Sequence, residues 1–285
     1  MSTMKRQPKI GLALSGGGAR GFGHIPVLEA LDEMGIRPTV ITGTSIGAVI
    51  GAGYAAGMTG TDIHNYALSL FKNRTDVLGR LWQLRPKRMR DLFSEAGFAI
   101  VQFDAERVME TFLPPGLPDS FEDLAIPLKI VATDFYGRKE AVLESGPLKP
   151  AIAASAAIPM LFRPVRIGDQ VMVDGGVMNP LPFDLIADDC DIVIAVDVVG
   201  GPVDRGKGMP GSLEAIYGST QLLMQSIMAE KMRCDRPPEV VISPPVTSRV
   251  LEFMKAASII NGAQPVKDDV KSLVEKAMAR LTARR

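Results

Sequence analysis

Histidine and cysteine are nearly missing from this chain, with two of each among 285 residues. Cys190 and Cys234 are too few for a disulfide framework and show no paired metal-ligand spacing, so they read as reduced structural thiols. No metal and no cofactor is expected. Charge of one sign is missing too: Lys and Arg number 32, Asp and Glu 32, for a formal net charge of zero. That excludes a dedicated nucleic-acid binder, which carries a basic excess. No run approaches the roughly 20 apolar residues of a membrane span. Lys5, Arg6 and Lys9 imitate the start of a secretion signal. The apolar stretch behind them, Ile10 to Leu14, is broken by Gly11 and falls short of the roughly 7–15 residues such a signal needs. The expected location is cytoplasmic, with peripheral contact at the inner face of a membrane.

What is present is apolar: 46% of the residues are hydrophobic, enough for a sizeable core. The order of patterns alternates. Ile10–Ser15 reads as a buried strand, then glycines, then a helix over Gly23–Met34. Thr39–Thr42 is a short β-branched strand followed by a small-residue helix ending near Gly57. Leu128–Thr133 is a strand, Pro150–Ala157 a short helix, and Gly168-Asp169 joins Val165–Ile167 to Gln170–Val173 as a hairpin. Ile192–Val198 is a continuous apolar run suited to burial on both faces. Ser212–Met232 reads as a long helix with Leu222, Leu223, Ile227 and Met228 inward. Val240–Ser243 is a last strand and Val266–Leu281 a last helix. Strands alternating with helices predict an α/β fold with a mostly parallel central sheet sandwiched by helices. A single domain over 1–285 is expected, with residues 71–117, poor in strand signals, as a lid or insertion.

Three places carry candidate chemistry. Gly16–Gly21, GGGARG, follows a strand and opens a helix, and it satisfies G-x-G-x-x-G. A dinucleotide site would need an acidic residue about 20 positions on, but Arg37–Thr42 holds none. A P-loop would need Gly-Lys-Ser/Thr, also absent. What survives is a set of backbone N–H groups able to meet an anion at a helix N-terminus, whether a phosphate or a transient oxyanion. The second place is Gly43–Gly47, GTSIG, a match to the nucleophile elbow G-x-S-x-G with Ser45 at its apex. A strand precedes it and a small-residue helix comes after it, as a sharp turn requires. The third is the base. His24 and His64 are the only histidines, and neither lies downstream of a plausible acid that follows Ser45, as the order Ser, acid, His requires; both read as structural. Carboxylates at predicted strand ends remain: Asp134, Asp174 and Asp197. Asp174 directly precedes Gly175-Gly176.

The ordered set GGGARG, GTSIG and Asp174-Gly-Gly resembles the patatin-like phospholipases. Ala132-Thr133-Asp134, Ala154 to Pro159 with Phe162, and Asn179-Pro180 agree with that pattern, over about Lys9 to Val199. Pro26 departs from it, where glycine is usual. The resemblance implies a three-layer patatin-like architecture and a Ser-Asp dyad, with Ser45 as nucleophile and Asp174 as base. It implies an oxyanion hole from Gly16, Gly17, Gly18 and Ala19, with Arg20 and Gly21 as substrate-binding candidates. Arg20 also reads as a brace for the loop. The implied activity is hydrolysis of a lipid or other ester; the rival readings are a phosphate binder and a regulatory or adaptor protein on an inactive scaffold. Within 71–98, Lys72, Arg74, Arg80, Arg85, Lys87, Arg88 and Arg90 are interleaved with Leu78, Leu81, Trp82 and Leu84. Such a stretch suits an anionic lipid surface, or packs on the core as an ordinary solvated segment.

Overall fold

The computed structural model describes residues 7–84, 93–94, 97–98, 102–202, 206 and 208–284. In chain order the elements are β1 (Ile10–Leu14), α1 (His24–Glu33), β2 (Val40–Thr44), α2 (Ile46–Ala55), α3 (Gly60–Phe71) and α4 (Arg74–Leu84). The paired stubs β3 (Phe93–Ser94) and β4 (Gly97–Phe98) come next, then α5 (Ala105–Phe112), β5 (Leu128–Asp134), β6 (Lys139–Leu143) and α6 (Leu148–Ser155). The chain ends with β7 (Val165–Ile167), β8 (Gln170–Asp174), β9 (Ile192–Val196), α7 (Ser212–Lys231), β10 (Val240–Ile242), α8 (Ala256–Ala263) and α9 (Val266–Arg284).

The main sheet runs β10-β9-β1-β2-β5, all parallel, and continues antiparallel through β8 and β7, with β6 on the other edge of β5. Parallel strands need helices on both faces, and β9 shows how residue alternation meets that need. Ile192, Ile194 and Val196 join the core beneath α1, α2 and α9. Val193 and Ala195 face the opposite layer, built from Leu181, Phe183, Ile186 and Met228 of α7. A third cluster packs α5 and α6 on β5, β7 and β8 through residues such as Ala132, Ala153 and Met172. Among the described residues, no helix is long and apolar enough to cross a membrane.

One helix differs from its expected orientation. On α7, Leu222 and Leu223 are 54% and 66% exposed, not inward. The inward line is Gly218, Gln221, Met224 and Met228. Gly218 sits against Pro202, and Met224 lies over Gly16 and Gly176. The helix is oriented by what it covers, a loop with buried polar groups, and not by its most apolar side chains.

Candidate active site

β2 and β8 approach β5 along the same edge from opposite directions. Thr44, the last residue of β2, pairs with Val131, and Asp174, the last of β8, pairs with Ala132. The two strands therefore stop head to head. Ser45, one residue past the end of β2, meets Asp174 at that junction. Thr44 Oγ1 donates to Asn179 O at 2.8 Å and Thr133 Oγ1 to Asp174 O at 2.9 Å, tying both strand ends.

Ser45 stands in a left-handed backbone region, φ 54° and ψ −121°, before α2. A non-glycine residue is strained there, which is common at functional turns. The turn brings α2 against β1: a Cβ on Gly47 would lie 2.2 Å from the Leu14 carbonyl oxygen, so only glycine fits. Ser45 Oγ donates to Asp174 Oδ2 at 2.5 Å, and Asp174 Oδ1 accepts from Gly176 N–H at 2.8 Å. Both residues are buried. Burial raises the Asp174 carboxyl from its ordinary 3.8 to about 6, while the bonds from Ser45 and Gly176 hold it back. The Ser45 N–H donates to Ser155 Oγ at 2.8 Å, which donates to Val131 O at 2.6 Å. Sequence reading gave Ser155 no role; a serine among alanines in a buried helix was its only signal.

The other carboxylates serve turns. Asp134 accepts from Gly137 N–H and the Gln170 amide, and Asp197 accepts from Val199 N–H. His24 is buried with Nε2 on Ser15 O at 3.0 Å, and burial lowers its pKa to about 4, leaving it neutral. His64 Nδ1 pairs with Glu29 at 2.6 Å. Neither histidine touches the Ser45–Asp174 pair.

The glycine loop passes beside Ser45: a Cβ on Gly16 would lie 3.4 Å from Ser45 Cβ. Gly18 has φ +58°, a conformation glycine adopts freely. Two of the four expected anion donors are taken. Gly16 N–H donates to Pro180 O at 3.0 Å and Ala19 N–H to Val250 O at 2.7 Å. Among the described residues, the N–H groups of Gly17 and Gly18 carry no hydrogen bond. Arg20 and Gly21, the expected substrate-binding residues, both have contacts within the chain. The Arg20 guanidinium is buried, with Nε on Ser248 O at 2.7 Å, Nη1 on Val199 O and Nη2 on Gly201 O at 3.4 Å. The Gln221 amide, oxygen inward, accepts from it as well. Its donors are consumed by the backbone, so it braces the loop. Gly21 gives room to Ile46, whose Cγ1 would lie 2.2 Å from a Cβ there.

Ser45 and Gly18 open on an apolar cavity of about 330 Å³. Its far walls come from α2, α3, α5 and the Phe22, Phe71 and Phe253 rings, which contact one another. The expected insertion supplies part of this wall: Val77, Leu81, Phe103, Val108 and Phe112 all face the cavity. On α4, Leu78 and Trp82 are exposed. Arg85, Lys87, Arg88 and Arg90 lie outside the described residues. Among the described residues no group of three or more His, Cys, Asp or Glu could hold a metal ion.

The family model described as patatin-like phospholipase matches residues 12–187, which include Ser45 and Asp174. A Mycobacterium tuberculosis protein named as an uncharacterized NTE family protein is 38% identical over 194 residues, 68% of this chain and 50% of its own. Mouse patatin-like phospholipase domain-containing protein 6 is 32% identical over 194 residues, 66% of this chain and 13% of its own. This chain thus spans about half the length of the mycobacterial relative and less of the mouse one. Human GIVD cytosolic phospholipase A2, solved with methyl gamma-linolenyl fluorophosphonate, shares the fold at a TM-score of 0.53 and 12% identity, over 98% of this chain and 60% of that one. With more than half of its length matched by the family model, the chain belongs to the patatin-like phospholipase family.

Proposed function

We propose that this chain is a serine-dependent lipid acyl hydrolase in which Ser45 is the nucleophile and Asp174 the base. The observation that carries the reading is the 2.5 Å bond from Ser45 Oγ to Asp174 Oδ2 at the mouth of an apolar cavity. Asp174 takes the Oγ proton as Oγ attacks the ester carbonyl. The carbonyl oxygen becomes an oxyanion facing the N–H groups of Gly17 and Gly18. Loss of one such donor typically raises the barrier by about 3 kcal/mol. The intermediate collapses, the alcohol departs with the proton from Asp174, and the acyl group stays on Ser45. Water then attacks the acyl-serine, giving its proton to Asp174, and the fatty acid leaves as Ser45 recovers its hydrogen.

An ordinary aspartate is a weak base near neutral pH. A carboxylate with its pKa near 6 remains ionised at pH 7 and accepts a proton more readily. The strained turn fixes Oγ before substrate arrives, and the cavity supplies an apolar bed for the acyl chain. The test is product analysis: fatty acid released from a phospholipid, a lysophospholipid and a neutral ester by the wild type and by Ser45→Ala. Release by the wild type alone supports the reading. Equal release by both proteins, or by neither, overturns it, and the second outcome favours the adaptor reading.

A further inference from the structure

The wall that α2 gives to the cavity is one continuous stripe. Ser45, Ile46, Val49, Ile50 and Gly53 all line it, and their spacing places them on one face of a helix. At 1.5 Å per residue, the path from Ser45 to Gly53 is about 12 Å. Met58 and Ile63, which also line the cavity, stand next to Gly53: a Cβ on Gly53 would lie 3.4 Å from Met58 Sδ and 3.7 Å from Ile63 Cδ1.

Gly53 differs from the other glycines of α2. Gly47 is forced by the Leu14 carbonyl, and Gly51 faces the sheet, where a Cβ would lie 3.3 Å from Ile41 and 3.5 Å from Leu14. Gly53 has a helical backbone, and a Cβ there meets only ordinary contact distances. Alanine would hold the helix better. What the missing side chain provides is length in the cavity.

We propose that Gly53 sets the end of an acyl-chain ruler and that the substrates are esters of medium-chain acids, of about ten carbons. The proposal rests on the hydrolase reading of Ser45. The length follows from chain geometry. An extended peptide advances roughly 3.3–3.6 Å for every three backbone bonds, so an extended alkyl chain covers about 12 Å in about ten bonds.

The experiment measures kcat/KM on p-nitrophenyl esters from acetate through decanoate to hexadecanoate, for the wild type, Gly53→Ala and Gly53→Leu. Binding of decanoate and hexadecanoate to Ser45→Ala, with and without Gly53→Leu, is measured by calorimetry, and thermal unfolding verifies that each variant folds. The wild-type optimum is expected near decanoate, with at least a tenfold fall by hexadecanoate. Gly53→Leu is expected to lower the decanoate-to-butyrate ratio at least tenfold, with Gly53→Ala between. Hydrolysis with an unchanged chain-length profile in Gly53→Leu, or a wild-type optimum at hexadecanoate, overturns the ruler and leaves the hydrolase reading standing. No hydrolysis of any ester, with decanoate binding weakened about tenfold by Gly53→Leu, overturns the hydrolase reading and supports the ruler. If Gly53→Leu does not fold, an unchanged profile in Gly53→Ala overturns the ruler.

Discussion

Asp174→Asn should abolish turnover and make the protein more stable. Folding buries the Asp174 carboxyl and raises its pKa from 3.8 to about 6. The folded chain therefore holds this proton more tightly than the unfolded chain. Below pH 3.8 the group costs folding nothing. As the pH climbs through 6 the folded protein must carry a buried charge, and stability falls. At about 1.36 kcal/mol per pKa unit the full cost above pH 7 is about 3 kcal/mol. Asparagine keeps the shape, still accepts from Gly176 N–H and can donate to Ser45 Oγ, but carries no charge. With an unfolding entropy of about 2.1 cal/mol/K per residue, 3 kcal/mol raises Tm by about 5 °C. The gain should be complete at pH 8 and fall to about half near pH 5. Thermal unfolding of both proteins from pH 5 to 8 is the assay. An Asn variant less stable than wild type at pH 8, or a difference that does not shrink as the pH falls, would refute the argument that burial strains this carboxylate.

Three further outcomes are expected. kcat/KM should be flat above pH 7 and fall tenfold per pH unit below about pH 6, because Asp174 must be ionised to accept the Ser45 proton; a pH–rate profile checks it. Arg20→Ala should cost about 2–4 kcal/mol in urea unfolding, since it strips partners from the Val199 and Ser248 carbonyls. Arg20→Lys should not restore it, because a point charge cannot replace the planar fork. If the exposed Leu78 and Trp82 of α4 meet a membrane, the protein cosediments with anionic vesicles in a salt-sensitive way. Binding should weaken on Trp82→Ala and on joint neutralisation of Arg85, Lys87 and Arg88, and unchanged binding in both variants would assign the segment to scaffold.

Part of this site was legible because its constraints leave a local mark. Gly43 is required by backbone contact with Gly47 and Ala48, while Gly47 is required by the Leu14 carbonyl of β1, far back in the chain, and shows in the sequence only as the second glycine of the motif. β9 announced itself as an apolar run because both its faces are covered. The head-to-head ending of β2 and β8 on β5 is a different matter. It joins residues 129 positions apart in the Ser45–Asp174 bond, and no spacing rule encodes it; the order of motifs pointed to the pair only through family resemblance. β6 escaped notice because an edge strand with a charged start, Lys139-Glu-Ala-Val-Leu143, lacks a clean alternation. That two N–H groups of the glycine loop bond to Pro180 and Val250 could not be read from the sequence, because those acceptors come from distant parts of the chain. The cavity is assembled from several helices, so its length was invisible until they were packed.

If Ser45 is a nucleophile made reactive by Asp174, covalent labelling reads it out without any substrate. Purified protein is treated with an alkyl fluorophosphonate, and the adduct is tracked by intact mass and located by peptide mapping. One adduct per chain is expected, on Ser45, formed more slowly below about pH 6 and at least a hundredfold more slowly in Asp174→Asn. Lipid hydrolysis by a protein whose Ser45 stays unlabelled, or labelling that Asp174→Asn leaves unchanged, would contradict it.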